Sequence, residues 1–162
     1  MALPVAGFDV ESVREISDDA DLCRLVWAWH QRRPGFNPET SCTFEELTGE
    51  HGWHYMFWWE GQPQVCVSLQ EHRPHGYEVF VAAAEKTHPQ KVKDALAFVG
   101  DRLMAHSLCR LASWVPAQHR AAIRLNRLFL NLELEKEIDG EKWYRFGADY
   151  PQWWAKRNGK EK

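Results

Sequence analysis

The sequence predicts one α/β domain in which a mixed, mostly antiparallel central sheet is flanked by helices. Segments with apolar residues at every second position are interspersed with segments where they recur every three or four positions. The 162 residues fit one domain with one sizeable core, and 44% apolar with 27% charged residues is ordinary globular composition. We expect this domain to span residues 1–150, followed by a polar tail at 151–162 that carries Trp153 and Trp154.

The first quarter of the chain predicts a strand followed by two helices. The strand covers Phe8 to Ile16, and Ser17-Asp18-Asp19 after it is suited to cap a helix. Apolar residues then occur at i, i+3, i+4 and i+7, and the helix ends at Pro34-Gly35. These residues are Leu22, Leu25, Val26 and Trp29. A second, short helix is predicted from Thr43 to Glu50.

Three strands follow, at Trp53–Glu60, Gln64–Glu71 and Tyr77–Ala84. Short turns join them, so they should be antiparallel neighbours. The first of these strands is apolar on both faces, which is typical of a central strand covered by helices. The alternative is that Trp58 or Trp59 lines an acceptor pocket or a subunit interface.

The second half alternates between helix and strand and closes with a hairpin. The order predicted for the whole chain is therefore β-α-α-β-β-β-α-β-α-β-β. The later elements are a helix at Pro89–His106, a strand at Leu108–Val115, a helix with Ala122, Leu125 and Phe129 on one face, and strands Leu132–Ile138 and Lys142–Phe146 around Asp139-Gly140.

Composition excludes several classes of function. A net charge of −3 argues against a dedicated nucleic-acid binder, and no apolar run reaches the length of a membrane span. The N-terminus lacks the features of a secretory signal, and the four cysteines form no CxxC motif, so we expect free thiols and a cytoplasmic location. The histidine pairs His51/His54 and His72/His75 come without cysteines at zinc spacing, so no metal site is predicted.

A more specific pattern lies in the second half. Trp114-Val115-Pro116 ends a strand, Ala121-Ala122 opens a helix, and Asp149 follows the last strand. Over about 40 residues this resembles the GNAT superfamily of acyl-CoA N-acyltransferases, and small acetyltransferase-like proteins of tailed phages within it. Leu130-Asn131-Leu132 and Glu135-Lys136 stand where L-G-F and E-G usually occur.

The resemblance implies that Tyr77–Ala84 and Leu108–Val115 separate at one end, and that the pantetheine arm of acetyl-CoA lies between them, near Ala83 and Ala84. In the family a Q/R-x-x-G-x-G/A loop at the next helix holds the pyrophosphate. Here Gln90 and Ala95 match its first and last positions, whereas Lys93 replaces the central glycine. Lys91 and Lys93 can contact phosphate by charge, and Asp94 opposes them.

The catalytic residues of the family are altered. Its proton donor is often a tyrosine seven residues after a helix-opening asparagine, and this chain has His119 and Asn126 at those positions. His119 can donate a proton or bind the pantetheine, or it is simply a polar residue at a helix start; Asn126 is expected to contact the cofactor. We take Glu78, near a strand start, as the candidate base. Glu71, at the end of the preceding strand, and the turn residues His72 and His75 are further candidates.

Two interpretations remain open. The first is an N-acetyltransferase that uses acetyl-CoA and an amine acceptor. The second is a GNAT-fold protein that has lost the cofactor site and acts as a structural or interaction component, for example of a phage virion. Trp153 and Trp154 must dock either on this domain or on a partner, which includes a second copy of the chain.

Overall fold

The computed structural model describes residues 13–34, 36, 52–72, 76–106 and 109–159. The helix predicted at Thr43–Glu50 and the start of the first predicted strand lie outside the described residues. The elements within them are β1 (Val13–Glu15), α1 (Ala20–Gln31), β2 (Gly52–Trp59), β3 (Gln62–His72), β4 (Gly76–Ala83), α2 (Pro89–His106), β5 (Leu111–Pro116), α3 (Arg120–Phe129), β6 (Asn131–Ile138), β7 (Glu141–Ala148) and α4 (Tyr150–Arg157).

The seven described strands form one sheet in the order β1-β2-β3-β4-β5-β7-β6. Every neighbouring pair is antiparallel except β4 and β5, which are parallel and are joined through α2. The predicted fold class, a mostly antiparallel mixed sheet with flanking helices, is therefore confirmed. No helix in the described part of the chain is long and apolar enough to cross a membrane.

The parallel pair is held together at one end only. Tyr77 and Glu78 of β4 align with Leu111 and Ala112 of β5, and the Tyr77 N–H donates to the Arg110 carbonyl at 2.8 Å. Beyond these residues β4 stays paired with β3 as far as Ala83, and β5 stays paired with β7 as far as Pro116. The two strands consequently diverge, which confirms the slot expected between them.

Gly76 lies at the closed end of this divergence. Its φ of +108° is in the region that favours glycine, and a Cβ at this position would overlap the backbone of Arg110. A side chain here would push the start of β4 away from the start of β5. The glycine therefore permits the close backbone contact with Arg110 that holds the two strands together at this end.

Each face of the sheet carries its own apolar core. On one face α2, α3 and α4 cover a cluster that includes Phe57, Leu96 and Phe146. On the other face α1 covers a smaller cluster that includes Val26 and Met56. β2 is buried against both, as predicted for a covered central strand, and neither Trp58 nor Trp59 is among the described residues that line the cleft between β4 and β5.

The segment after residue 150 is a correction to the predicted tail. Asp149 caps helix α4 with a reciprocal capping box to Gln152, and the helix continues to Arg157. Trp153 is fully buried in this chain: its ring stacks on Phe129 at 5.5 Å, and its Nε1 donates to Asp101 at 2.9 Å. Its indole is thus part of the domain core and is not an external interface.

Replacing Trp153 with alanine should destabilise the fold strongly. The substitution empties a fully buried site and removes the Asp101 hydrogen bond, so we expect a loss of about 3–5 kcal/mol in the free energy of unfolding. Denaturant unfolding followed by circular dichroism measures it.

The adjacent residue provides the control for this experiment. Trp154 is only partly buried and contacts Tyr150 edge-on, so Trp154→Ala should cost less than about 2 kcal/mol. Equal losses in the two variants would contradict the assignment of α4 to the core.

Candidate active site

The divergence of β4 and β5 opens into a cleft of about 890 Å³. Its floor is formed by the stretches of β4 and β5 that no longer pair with each other, at residues 79–83 and 113–116. The first turns of α2 and the inner side of α3 form one wall, and the C-terminal turn of α1 forms the other. The cleft therefore lies where chain topology separates two neighbouring strands, a frequent position for ligand sites.

Four residues predicted as site residues line this cleft: Ala83, Lys93, His119 and Asn126. Ala83 ends β4, and Lys93 lies on the first turns of α2. His119 is the N-cap residue of α3, but its side chain makes no capping hydrogen bond. Asn126 is buried on α3 and donates from Nδ2 to the carbonyl of Ala122 at 2.7 Å. The structure brings these four side chains to one cavity.

Two residues predicted to contact the pyrophosphate are engaged elsewhere. Gln90 is exposed, and its Nε2 donates to Asp94 at 2.9 Å. Lys91 donates from Nζ to Gln64 on β3 at 3.0 Å and lies over the Trp59 ring. His88 accepts from the Gln90 N–H at its ring Nδ1 and from the Lys91 N–H at its carbonyl. The first N–H groups of α2 thus already have a partner in His88.

Three further predicted residues are not among the described residues that line the cleft. Ala95 is fully buried in the core between α2 and the sheet. Ala84 follows β4, and its N–H donates to Gln64. Glu78 lies at the closed end of the divergence, aligned with Gln70 on β3 and Ala112 on β5. The candidate base Glu78 therefore lies at the closed end of the divergence and not in the cleft.

The charge of the cleft was not foreseen from the sequence. Five basic residues line it, whereas Glu85 is the only acidic residue among its described lining residues. The basic residues are Arg32, Arg33, Lys93, Arg124 and Arg127. Arg32 lies 3.9 Å from Glu85, so the acid is itself opposed by a cation. The excess of positive charge suits a ligand with several negative charges.

His30 is a second residue that sequence reasoning missed. It is 2% exposed, lines the cleft, and packs its ring edge-on against Phe80 of β4 at 6.5 Å. Its Nε2 has no hydrogen-bond partner within the described ranges. A signal was present, because position 30 continues the stripe of Leu22, Val26 and Trp29 and so lies on the buried face of α1.

Both histidines of the cleft are held in the neutral form. Burial lowers the pKa of His30 to about 3, with the charge of Arg33 and the nearby His54 acting in the same direction. Burial and Arg33 likewise lower the pKa of His119. Arg33, which follows the C-cap of α1, thus acts electrostatically on a histidine of that helix and on one at the start of α3.

Comparison with known proteins gives a result for the fold only. No protein-family model matches the sequence, and no curated protein matches it. Among solved structures, the ribosomal-protein-S18-alanine N-acetyltransferase of Escherichia coli matches with a TM-score of 0.67 at 16% identity, over 86% of this chain and 93% of that chain.

Two other acetyltransferase structures are similar to this chain over most of its length. An N-acetyltransferase from Staphylococcus aureus Mu50 gives a TM-score of 0.68 at 8% identity, covering 86% of this chain and 97% of that one. A Bacillus subtilis acetyltransferase, solved in complex with CoA, gives 0.65 at 13% identity, covering 85% and 97%. The chain has the fold of the GNAT N-acetyltransferases.

Proposed function

We propose that this chain is an N-acetyltransferase that transfers an acetyl group from acetyl-CoA to an amine. The observation that carries the proposal is the one-ended separation of β4 and β5, which opens directly into a cleft lined with basic residues. CoA is a narrow, flexible arm attached to several phosphates, so it needs both a slot and positive charge. The fold shared with acetyltransferases supports the same conclusion.

The slot offers a strand edge to the amides of the pantetheine arm. Since the Tyr77 N–H points toward β5 and strand residues alternate, the backbone groups of Val79, Val81 and Ala83 also turn toward the slot. A ligand with amide groups can pair with such an edge as an added strand does. This is the binding mode that the separation of the strands makes accessible.

Side-chain charge replaces the usual glycine loop in this proposal. The first N–H groups of α2 already bond to His88, and Lys93 stands where the family has glycine. Lys93 with Arg124 and Arg127 on α3 lies along the same wall of the cleft. We assign the phosphates of acetyl-CoA to these three cations, since charge-assisted contacts do not require the ligand to reach bare backbone.

The transfer reaction requires little from the protein beyond positioning the two substrates. Acetyl-CoA supplies a thioester, whose carbonyl carbon gains a C–N bond as its C–S bond breaks, while the amine loses one proton and the thiolate gains one. His119 is neutral and lies at the cleft, so its ring N–H can hydrogen-bond to the departing sulfur. Asn126 lies about two turns further along the same side of α3, where it can contact the arm.

Calorimetric titration with acetyl-CoA, paired with an assay for released CoA thiol, tests the proposal. We expect binding in the micromolar range and thiol release that depends on an added amine. No heat at millimolar acetyl-CoA would refute the enzyme. It would instead favour the alternative of a GNAT-fold structural or interaction component, virion-associated or otherwise. An acetyltransferase would act in the cytoplasm, where acetyl-CoA is present.

Lys93→Gln should weaken acetyl-CoA binding about threefold to tenfold, because it removes one cation from the wall of the cleft. Titration calorimetry of the variant at fixed ionic strength measures the change.

Lys91 is the matched control, two residues away on the same helix. Its ammonium is already bonded to Gln64 and lies over Trp59, so Lys91→Gln should leave acetyl-CoA affinity within about twofold. Tighter binding in the Lys93 variant, or equal loss in both variants, would show that this charge does not hold the phosphates.

The buried His30 should make the protein sensitive to acid. Its pKa is about 3 in the folded protein and near 6.5 when unfolded, so between these values the unfolded chain binds more protons. Stability should therefore fall as the pH is lowered from 6.5, by about 1 kcal/mol per pH unit from this group. Urea unfolding of the wild type and His30→Leu at pH 7.5 and 5 measures it. A drop of the same size in both proteins would contradict the assignment.

A further inference from the structure

A serine lies at the point where β4 and β5 begin to separate. The last aligned pair of the two strands is Glu78 with Ala112, so Ser113 is the first residue of β5 beyond the aligned pairs. On its other side Ser113 stays paired with Phe146 of β7, which holds its backbone in the sheet. Ser113 is therefore the residue of the separated part of β5 that lies nearest to the apex of the slot.

The side chain of Ser113 points to the face of the sheet that α2 and α3 cover. Residues alternate between the two faces along a strand, and Leu111 and Val115, two positions away on either side, belong to the apolar cluster on that face. Ser113 is 7% exposed and lines the cleft. It thus places a small polar group between apolar neighbours, where a hydrogen bond is stronger than in water.

The hydroxyl group of Ser113 is open to a ligand. It makes no hydrogen bond to any residue that the structure describes, and its oxygen is not one of the polar atoms that are sealed from solvent without a partner. The other hydroxyl of the described cleft lining belongs to Thr87, and it already donates to the carbonyl of Ala84 at 2.7 Å. Within the described lining, Ser113 therefore supplies the hydroxyl that can still donate into the cleft.

The position of this hydroxyl along the slot suits the reactive end of acetyl-CoA. Lys93, one of the cations assigned to phosphate, lies on the first turns of α2, and α2 follows the open end of β4. A pantetheine arm that enters there and follows the edge of β4 brings its thioester toward the apex. His119 lies further toward the open end, since its N–H donates to the carbonyl of Pro116, three residues beyond Ser113, at 2.9 Å.

We infer that Ser113 is a catalytic residue whose hydroxyl donates a hydrogen bond to the carbonyl oxygen of the thioester. This inference rests on the proposed acetyltransferase function. As the amine nitrogen bonds to the carbonyl carbon, the π electrons of the C=O bond move to the oxygen, which becomes negatively charged. The C=O bond re-forms as the C–S bond breaks and its electron pair leaves on sulfur. Ser113 keeps its proton throughout and stabilises the charged oxygen, whereas His119 contacts the sulfur.

Ser113→Ala should lower kcat about a hundredfold, the cost of removing one donor to a developing oxyanion. KM and the Kd for acetyl-CoA should change by less than about threefold, because the hydrogen bond strengthens only as the oxygen gains charge. Thiol release is measured with whichever of spermidine, phenylalanine and an alanine-terminated peptide the wild type acetylates fastest. An unchanged kcat, or a loss confined to KM, overturns the inference.

Infrared spectroscopy of bound acetyl-CoA tests the same hydrogen bond without turnover and without an acceptor. Acetyl-CoA that is isotope-labelled at the thioester carbonyl carbon is added to the wild type and to Ser113→Ala. We expect the C=O stretch at a lower frequency on the wild type, because a hydrogen bond to the oxygen weakens the C=O bond. The same frequency on both proteins overturns the inference.

Two further variants separate chemistry from folding. Ser113→Thr keeps a hydroxyl and should retain at least about a tenth of the wild-type kcat. Ser68→Ala should leave kcat unchanged and lower the thermal midpoint, because the Ser68 hydroxyl is bonded to His54 Nδ1 at 2.7 Å and is outside the described cleft lining. The midpoint of Ser113→Ala should stay unchanged or rise, since its hydroxyl has no partner in the described chain. A lowered midpoint with wild-type kcat would mean that Ser113 only packs.

The two proposals fail in different ways. A wild-type protein that does not bind acetyl-CoA refutes the proposed function. A wild-type protein that binds acetyl-CoA, but whose carbonyl stretch and kcat are unaffected by Ser113→Ala, refutes only the role of Ser113. An acetyl group retained on Ser113 after incubation with acetyl-CoA, detected by mass spectrometry, would identify the serine as a nucleophile and would overturn its assignment as a hydrogen-bond donor.

Discussion

The junction of β4 and β5 is the constraint on which the site depends. Two aligned residue pairs and the bond from Tyr77 to Arg110 hold the strands at one end, and Gly76 lets the backbones meet there. Each strand has a full antiparallel partner on its other side, so the sheet remains continuous when the pair opens. A parallel pair whose strands are each secured elsewhere can separate at low cost, and the cleft results from that arrangement.

Charged side chains are distributed unevenly around the cavity. The wall made by α2 and α3 carries lysine and arginine side chains on the face opposite to α1, whereas α1 contributes a buried neutral imidazole beside an arginine. Burial, with the charge of Arg33 acting in the same direction, lowers the pKa of His30 and of His119. Arg33 thus contributes both to the positive charge of the cleft lining and to the lowered pKa of the two histidines there.

The fold could be predicted well because it follows from local pattern. Period-two and period-3.6 segments gave the order of elements, and Trp114-Val115-Pro116 with the helix behind it identified the fold that structural comparison then supported. α4 was missed because its sequence is polar apart from two tryptophans, and its burial depends on a groove formed by α2 and α3. Such tertiary packing overrides weak local pattern.

The site was predicted only in part, for a related reason. A family pattern runs through Lys93, His119, Ala83 and Asn126, which line the cleft, whereas Gln90 and Lys91 match or adjoin the pattern yet bond to Asp94 and Gln64. His30 and Arg33 come from a helix far away in sequence. Their place in the cleft lining arises from packing of α1 across β4, which spacing along one chain segment does not reveal.

The docking of Trp153 has a consequence for how the molecule forms. Gly100 leaves room for the Trp153 indole, and Asp101 accepts hydrogen bonds from that indole and from Arg157. Helix α2 is therefore completed by side chains of α4, which comes about 50 residues later in the sequence. Ribosomes make this tryptophan after all seven described strands. The apolar surface that α2 and α3 present to Trp153 can therefore be covered only after every described strand has been synthesised.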